Sequence, residues 1–192
     1  MRPNLRRHTR RIRLIIYRET LFDYREHAWT FAGAFLGIGL LGLLTRYLVA
    51  PTDAPLLIGS FGASSVLVYG VINSPLAQPR NLVGGHVLSA LLGVTMYRLL
   101  PQHLWLAGAL AVALAIVGMQ ITKTLHPPGG ATALIAVIGS PQLKALGYGY
   151  VFVPVLAGVL VLLAVALLVN NATQARRYPA NKNWYRFWQR GW

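Results

Sequence analysis

Apolar stretches separated by short polar punctuation run from residue 29 to residue 169. Residues 29–49, 82–100, 104–121 and 149–169 are almost wholly apolar. A helix needs about 20 such residues to cross a bilayer, so these four segments predict spanning helices. Two shorter apolar runs lie between them. Residues 56–72 are interrupted by Gly59, Ser60, Gly62, Ser64 and Ser65, and residues 125–140 read LHPPGGATALIAVIGS. In the second, Pro127 and Pro128 suit only the first turn of a helix, and Ala131 to Ile138 continue it. From Gly129 to Ser140 a helix would reach about 18 Å, against a hydrocarbon core of about 30 Å. The pattern predicts a half-helix with its N-terminus and free N–H groups in apolar surroundings, and such an end attracts anions. Polar turns are expected at 51–55 (PTDAP), 74–81 (SPLAQPRN), 101–102 and 141–147.

The two short runs resemble each other. GASSVLVYGVINSP (62–75) and GATALIAVIGSP (130–141) both open Gly-Ala-hydroxyl and close Ser-Pro. Each follows a long span containing Trp and Ala-Gly-Ala, and each precedes a turn and another long span. The unit is span, broken half-helix, span, used twice over residues 28–100 and 103–170. If the broken segments cross, each unit has three crossings and the second is inverted; if they re-enter, the repeats run parallel. Paired interrupted helices in corresponding halves favour the first version. The fold class is therefore an all-α membrane protein of about six transmembrane segments, as two inverted three-segment repeats with a broken second segment in each.

Composition agrees with a membrane protein: charged residues make up 11% and hydrophobic ones 55% of 192 residues, and mean hydropathy is +0.51. The net charge of +14 changes the picture less than it first suggests. Of 18 basic residues, eight arginines precede Ala28 and five Lys/Arg follow Asn170. Basic flanks are what the positive-inside rule expects of cytoplasmic termini, and no basic polar domain remains to bind nucleic acid. Residues 1–27 place Ile12, Ile15, Ile16 and Phe22 on one face, an interfacial segment suited to anionic lipid. Residues 171–192 carry Trp184, Phe187, Trp188 and Trp192 at helical spacing, a second surface anchor. A secretory signal and a transit peptide are both disfavoured, the first by the length of the apolar run and the second by Glu19, Asp23 and Glu26.

The candidate chemistry follows from the half-helices. Gly62, Ala63, Ser64 and Ser65 in one, and Gly129, Gly130, Ala131 and Thr132 in the other, offer N–H groups and hydroxyls around a glycine-lined approach. Facing one another they would form a cage for a small inorganic anion, with glycine-mediated helix packing as the competing reading. His126, just ahead of Pro127 and Pro128, can gain and lose a proton near neutral pH and so couple protons to anion movement. Arg80, Asn81, His86 and Lys123, with the two prolines, are candidates for anion attraction or gating. No acid lies within a span: Glu19, Asp23, Glu26 and Asp53 are the four in the chain. That disfavours carboxylate catalysis, a carboxylate proton relay and cation transport. Two histidines without thiols or acids make a poor metal site, and no cofactor motif has its required context.

The motifs HPPGGATAL (126–134), GSFGAS (59–64), SPLAQPRN (74–81) and GGH (84–86) together resemble the HPP family of integral membrane proteins, across most of residues 28–170. Members are described as multi-span proteins, probable transporters; plant chloroplast members are described as nitrite transporters, and some bacterial ones carry CBS domains, for which this chain has no room. The resemblance implies transport, with nitrite or a nitrate-like anion as substrate. The expectation is a small-anion transporter or channel, not an enzyme, in the bacterial inner (plasma) membrane with both termini cytoplasmic. It is expected to be a homo-oligomer, with the glycine seam of the first span as one interface. The alternative is a non-transporting scaffold or sensor subunit acting through its tails.

Overall fold

A computed structural model describes residues 23–48 and 58–180 of the chain. The predicted interfacial face at Ile12–Phe22, the turn at 51–55 and the aromatic anchor from Trp184 onward lie outside the described residues. Those that are described form helices and turns without a strand. In chain order they are α1 (Tyr24–Leu48), α2 (Gly59–Ser65), α3 (Pro79–Leu99), α4 (Leu104–Ile121), α5 (Pro127–Ile138), α6 (Pro141–Ala145) and α7 (Ala157–Val169). Wider π-type turns extend α2 through Val66–Gly70 and lead into α7 through Val151–Leu156. Among the described residues four helices are long and apolar enough to cross a membrane: Tyr24–Tyr47, Pro79–Leu99, Leu104–Ile121 and Val151–Val169. The described part is thus that of an all-helical integral membrane protein with four candidate spans and one shorter apolar helix, Pro127–Ile138.

Local chemistry explains where the boundaries depart from the apolar pattern. The run at 74–81 is expected as one turn, yet Pro79 starts α3. Its fixed φ suits the first helical position, so Arg80 and Asn81 join the first turn of the span. The Ser74 hydroxyl accepts from Leu76 N–H at 3.2 Å and shapes the short turn Pro75–Ala77. The last span is expected to be continuous from 149 to 169, but it is broken at Val153 (φ −133°, ψ 118°). Pro154 forces this, because the residue before a proline is pushed out of the helical region.

Packing relies on small residues under large ones. Gly33 and Gly37 of α1 leave a slot for the Tyr69 ring, and the Tyr69 hydroxyl donates to Leu162 O of α7 at 3.0 Å. Gly158 leaves the space occupied by Phe61. At Gly93 of α3 an added Cβ would lie 2.5 Å from Ala133 O and 2.8 Å from Ala136 Cβ, so α5 rests directly on α3. On its other side α5 packs on α4 through Ala107, Ala111, Ala115, Ala133 and Val137. The predicted glycine seam of α1 therefore divides. Gly33 and Gly37 are used within the chain, whereas a Cβ at Gly39 or Gly42 would meet nothing within 4 Å among the described residues. Phe31, Phe35, Trp105, Ile121 and Leu168 point outward, as side chains facing lipid would.

Candidate functional site

His126 is the N-cap residue of α5, in extended conformation, and its side chain is fully buried. Two glycines make room for it. A Cβ at Gly85 would lie 2.6 Å from His126 Cβ, and one at Gly129 would lie 2.8 Å from Ser89 Oγ and 3.0 Å from Gly85 O. The start of α5 corrects one expectation. Pro127 and Pro128 have no N–H, and Gly129 N–H already donates to His126 O at 2.8 Å. The first turn of the half-helix thus holds far fewer free donors than a helix end normally exposes. Side chains supply the polar groups instead.

A closed cluster of imidazoles and hydroxyls joins α2, α3 and α5. Ser64 Oγ lies 2.7 Å from His86 Nε2 and 3.0 Å from His126 Nε2. His86 Nδ1 is 2.6 Å from Thr132 Oγ1, which is 2.8 Å from Ser60 Oγ. His126 Nδ1 is 2.8 Å from the carbonyl of Leu76. Ser60, Ser64, His86, His126 and Thr132 are all buried. Ser60 near the start of α2 meets Thr132 within α5, while Ser64 at the end of α2 meets His126 at the start of α5. The two short helices therefore run antiparallel past one another, with the hydroxyls on the shared face. Tyr150 OH donates to Thr132 O at 3.1 Å and ties the segment before α7 to the cluster.

The proton positions follow from the partners. A carbonyl only accepts, so His126 Nδ1 carries the hydrogen and its Nε2, in the neutral ring, must accept. Thr132 Oγ1 donates to Ser60 Oγ, so His86 Nδ1 donates to Thr132 and the Nε2 of the neutral His86 ring must also accept. Ser64 then has one proton for three acceptors: His86 Nε2, His126 Nε2 and the Ser60 carbonyl. With both rings neutral, the cluster is one donor short at Ser64.

The remaining predicted residues are placed differently. Gly62, Ala63 and Ala131 are exposed, and Gly130 is half-buried. Among the described residues a Cβ at Gly62 would meet nothing within 4 Å, and one at Gly130 only Val112 Cγ1 at 3.9 Å. Gly62 and Gly130 thus lie off the shared hydroxyl face, whereas Gly129, the third glycine of the expected cage, is buried against α3. Ser65 is buried, and its hydroxyl has no hydrogen-bond partner among the described residues. Pro127 is exposed and Pro128 buried.

Asn81 and Lys123 line an open cavity of about 280 Å³, with Pro75, Leu76, Met119, Gln120 and Leu125. Asn81 Nδ2 donates to Leu125 O at 2.7 Å, holding the approach to His126. Lys123 has φ 56°, and it follows the α4 C-cap Thr122. Its N–H bonds Gln120 O at 3.2 Å, and Thr124 N–H bonds Met119 O at 2.8 Å. This is a Schellman ending, with lysine at the left-handed position that glycine usually takes. Arg80 is half-exposed in the first turn of α3 and is not among the residues lining the cavity.

Sequence reasoning missed Ser60, Tyr150, the Leu76 carbonyl, Asn170 and Arg176. Ser60 carried a signal, since it stands one helical turn before Ser64. Asn170 Nδ2 donates to Val68 O at 2.9 Å, and Arg176 Nη2 to Tyr69 O at 2.7 Å, so both satisfy carbonyls freed at the π-type end of α2. Arg176 Nη1 also lies 3.4 Å from Glu26 Oε1. Among the described residues no group of three or more His, Cys, Asp and Glu gathers to hold a metal ion.

Fold and site together define a polytopic helical membrane protein with a buried histidine–hydroxyl cluster between two short helices. Its sequence matches the family described as "HPP, transmembrane region" over residues 19–179, and the chain belongs to that family. It is similar to two transmembrane proteins of Dictyostelium discoideum. One is 48% identical over 160 residues, covering 82% of this chain and 51% of the relative. The other is 47% identical over 160 residues, covering 82% of this chain and 56% of the relative. The chain thus spans about half the length of the relatives it matches. No solved structure matches it.

Proposed function

We propose that the chain is a transporter or channel for a small anion, with nitrite or a nitrate-like ion as the leading substrate. The observation that carries this reading is the cluster of Ser60, Ser64, His86, His126 and Thr132, buried where two short helices pass in opposite directions. Buried polar groups of this kind inside a membrane domain mark ion pathways more often than plain packing sites. The positive ends of both helix dipoles fall near the cluster and favour a negative guest.

The contacts also support six crossings with inverted repeats. Thr30 Oγ1 donates to Tyr69 O at 3.1 Å, so α2 ends beside the start of α1. Asn170, at the end of α7, reaches Val68, so α2 runs with α7. α5 starts beside Gly85 and continues past Gly93, so it runs with α3. The substrate side of the site then consists of the hydroxyls and imidazoles rather than Gly62, Ala63, Gly130 and Ala131. Lys123 and Asn81 form the mouth and recruit the anion, and Arg80 adds positive potential at the same end. A lysine held in a left-handed conformation costs about 1 kcal/mol that glycine would not, which fits a side chain retained for its charge. With the basic tails on the cytoplasmic side, the mouth opens to the cytoplasm of an inner (plasma) membrane.

One observation favours the alternative of a scaffold or sensor acting through its tails. Residues 170–180 are bonded to the end of α2 and to the turn after it, through Asn170, Arg176, Tyr178 and Ala180. Reconstitution in liposomes separates the two. Uptake of nitrite or nitrate above empty vesicles is the expected result, and absence of flux with folded protein selects the scaffold.

A further inference from the structure

We infer that the buried cluster takes up one proton with each monovalent anion, so that translocation is electroneutral; this rests on the anion-transport reading above. The geometry first shows that the cluster can hold an extra proton without leaving a group unpaired. Protonation forms one N–H bond at His126 Nε2, and that N–H then donates to Ser64 Oγ. The Ser64 hydroxyl is then free to donate to His86 Nε2 at 2.7 Å. His86 Nδ1 still donates to Thr132, and His126 Nδ1 still donates to Leu76 O. Every donor keeps an acceptor, and no other bond breaks. Leu76 lines the open cavity, so the acceptor of the Nδ1–H bond lies at the boundary between cluster and mouth.

The charge is what makes the anion obligatory. The groups facing the two rings are Ser60, Phe61 and Ser64 from α2, Gly85 and Ser89 from α3, and Met119 from α4. Thr132 faces them from α5, Tyr150 stands behind Thr132, and Leu76 and Thr124 face them from the turns. None is an acid, and the four acids of the chain are Glu19, Asp23, Glu26 and Asp53. The two rings lie 5.0 Å apart between centroids, so a proton on one opposes a proton on the other. Lys123, which lines the open cavity, and Arg80, in the first turn of α3, are positive. One imidazolium is therefore uncompensated in a buried site, and isolated charges there are strongly disfavoured. A monovalent anion beside it cancels the charge. A divalent one leaves a net negative charge, and none at all leaves a positive one. The site accepts both charges together or neither.

The test uses the intact protein in liposomes, nitrite as probe, and a pH dye inside. Rates are taken above empty vesicles, because the conjugate acid of nitrite also crosses lipid unaided. With the potential clamped at zero by valinomycin and potassium, uptake is expected to follow an acid-outside gradient, with one proton entering per nitrite. A 100 mV potential of either sign is expected to leave it unchanged, whereas a step moving one net charge gains or loses about 50-fold in driving ratio. Sulfate is expected not to be taken up. Uptake that follows the potential without proton influx overturns the coupling and leaves anion transport standing; absence of nitrite flux overturns both. In Ser64→Ala the residual rate is expected to lose its dependence on the pH gradient, and an unchanged dependence removes the cluster from the mechanism.

Discussion

Ser64 and Ser65 are neighbours with the same side chain, both buried, and the structure assigns them opposite energetic roles. Replacing Ser64 by alanine removes one oxygen that serves two rings. His86 Nε2 loses its partner at 2.7 Å, and His126 Nε2 loses its partner at 3.0 Å. A buried polar group left unpaired costs about 1–3 kcal/mol, so the two together should cost about 2–6 kcal/mol. The hydroxyl of Ser65 has no partner among the described residues, and its removal gives up no hydrogen bond. Ser65→Ala should leave stability unchanged or raise it by about 1 kcal/mol. For a chain of this size 1 kcal/mol is roughly 2–4 °C in melting temperature. Thermal unfolding in detergent, followed by circular dichroism, should therefore show Ser64→Ala lower by on the order of 10 °C and Ser65→Ala at or above the parent. Adding His126→Ala to Ser64→Ala should cost less than the sum of the single changes, by about 0.5–3 kcal/mol, since both remove the same bond. Equal melting temperatures for Ser64→Ala and Ser65→Ala would refute the assignment of the hydrogen-bond chain.

Other substitutions test other parts of the argument. Lys123→Gly should raise stability by about 1 kcal/mol, because glycine takes the left-handed conformation freely, while lowering the rate of anion uptake; both are read on one preparation. Gly93→Ala puts a Cβ within 2.5 Å of Ala133 O and should cost about 1–3 kcal/mol by overpacking. Gly62→Ala meets nothing and should stabilise α2 by about 0.5–1 kcal/mol; melting curves of the pair decide between packing and an inward cage. Arg176→Met removes the charged donor to Tyr69 O and should cost about 1.5–3 kcal/mol. The half-exposed Glu26 adds little to that figure, so Glu26→Gln should change the melting temperature far less.

The long apolar runs were legible because period and length alone define a membrane helix, and α4 falls on the residues the pattern indicated. The break at Val153 was hidden inside a run whose hydropathy never drops; Pro154 was its only mark. The early start of α3 was hidden for the opposite reason, since a proline reads as a turn until a helix is seen to begin on it. The histidines stood out because ionisable groups are rare in such a chain. Their partners did not, as serine and threonine are common in tightly packed membrane helices. The glycines misled most. Periodicity says that a glycine lets something come close, but only the packing says which. Gly85, Gly93 and Gly129 admit close neighbours, whereas among the described residues Gly62, at the head of the repeated motif, meets nothing and Gly130 only Val112 at ordinary contact distance. Arg176 was counted with the basic tail, because nothing local shows that a charged residue will reach back to a carbonyl more than a hundred positions earlier.

The order of synthesis is constrained by that reach. The carbonyls of Val68, Tyr69 and Ala77 are paired by Asn170, Arg176 and Tyr178. While the chain is being made, α2 is complete about a hundred residues, and α3 about seventy, before Asn170 exists. Until then Thr30 can pair with Tyr69 O, but the carbonyls of Val68 and Ala77 lack the partners they have in the finished fold. The end of α2 is expected to close only once residues 170–178 are in place. A nascent chain halted before residue 170 should stay readily accessible at Tyr69, and one extended past residue 180 should not.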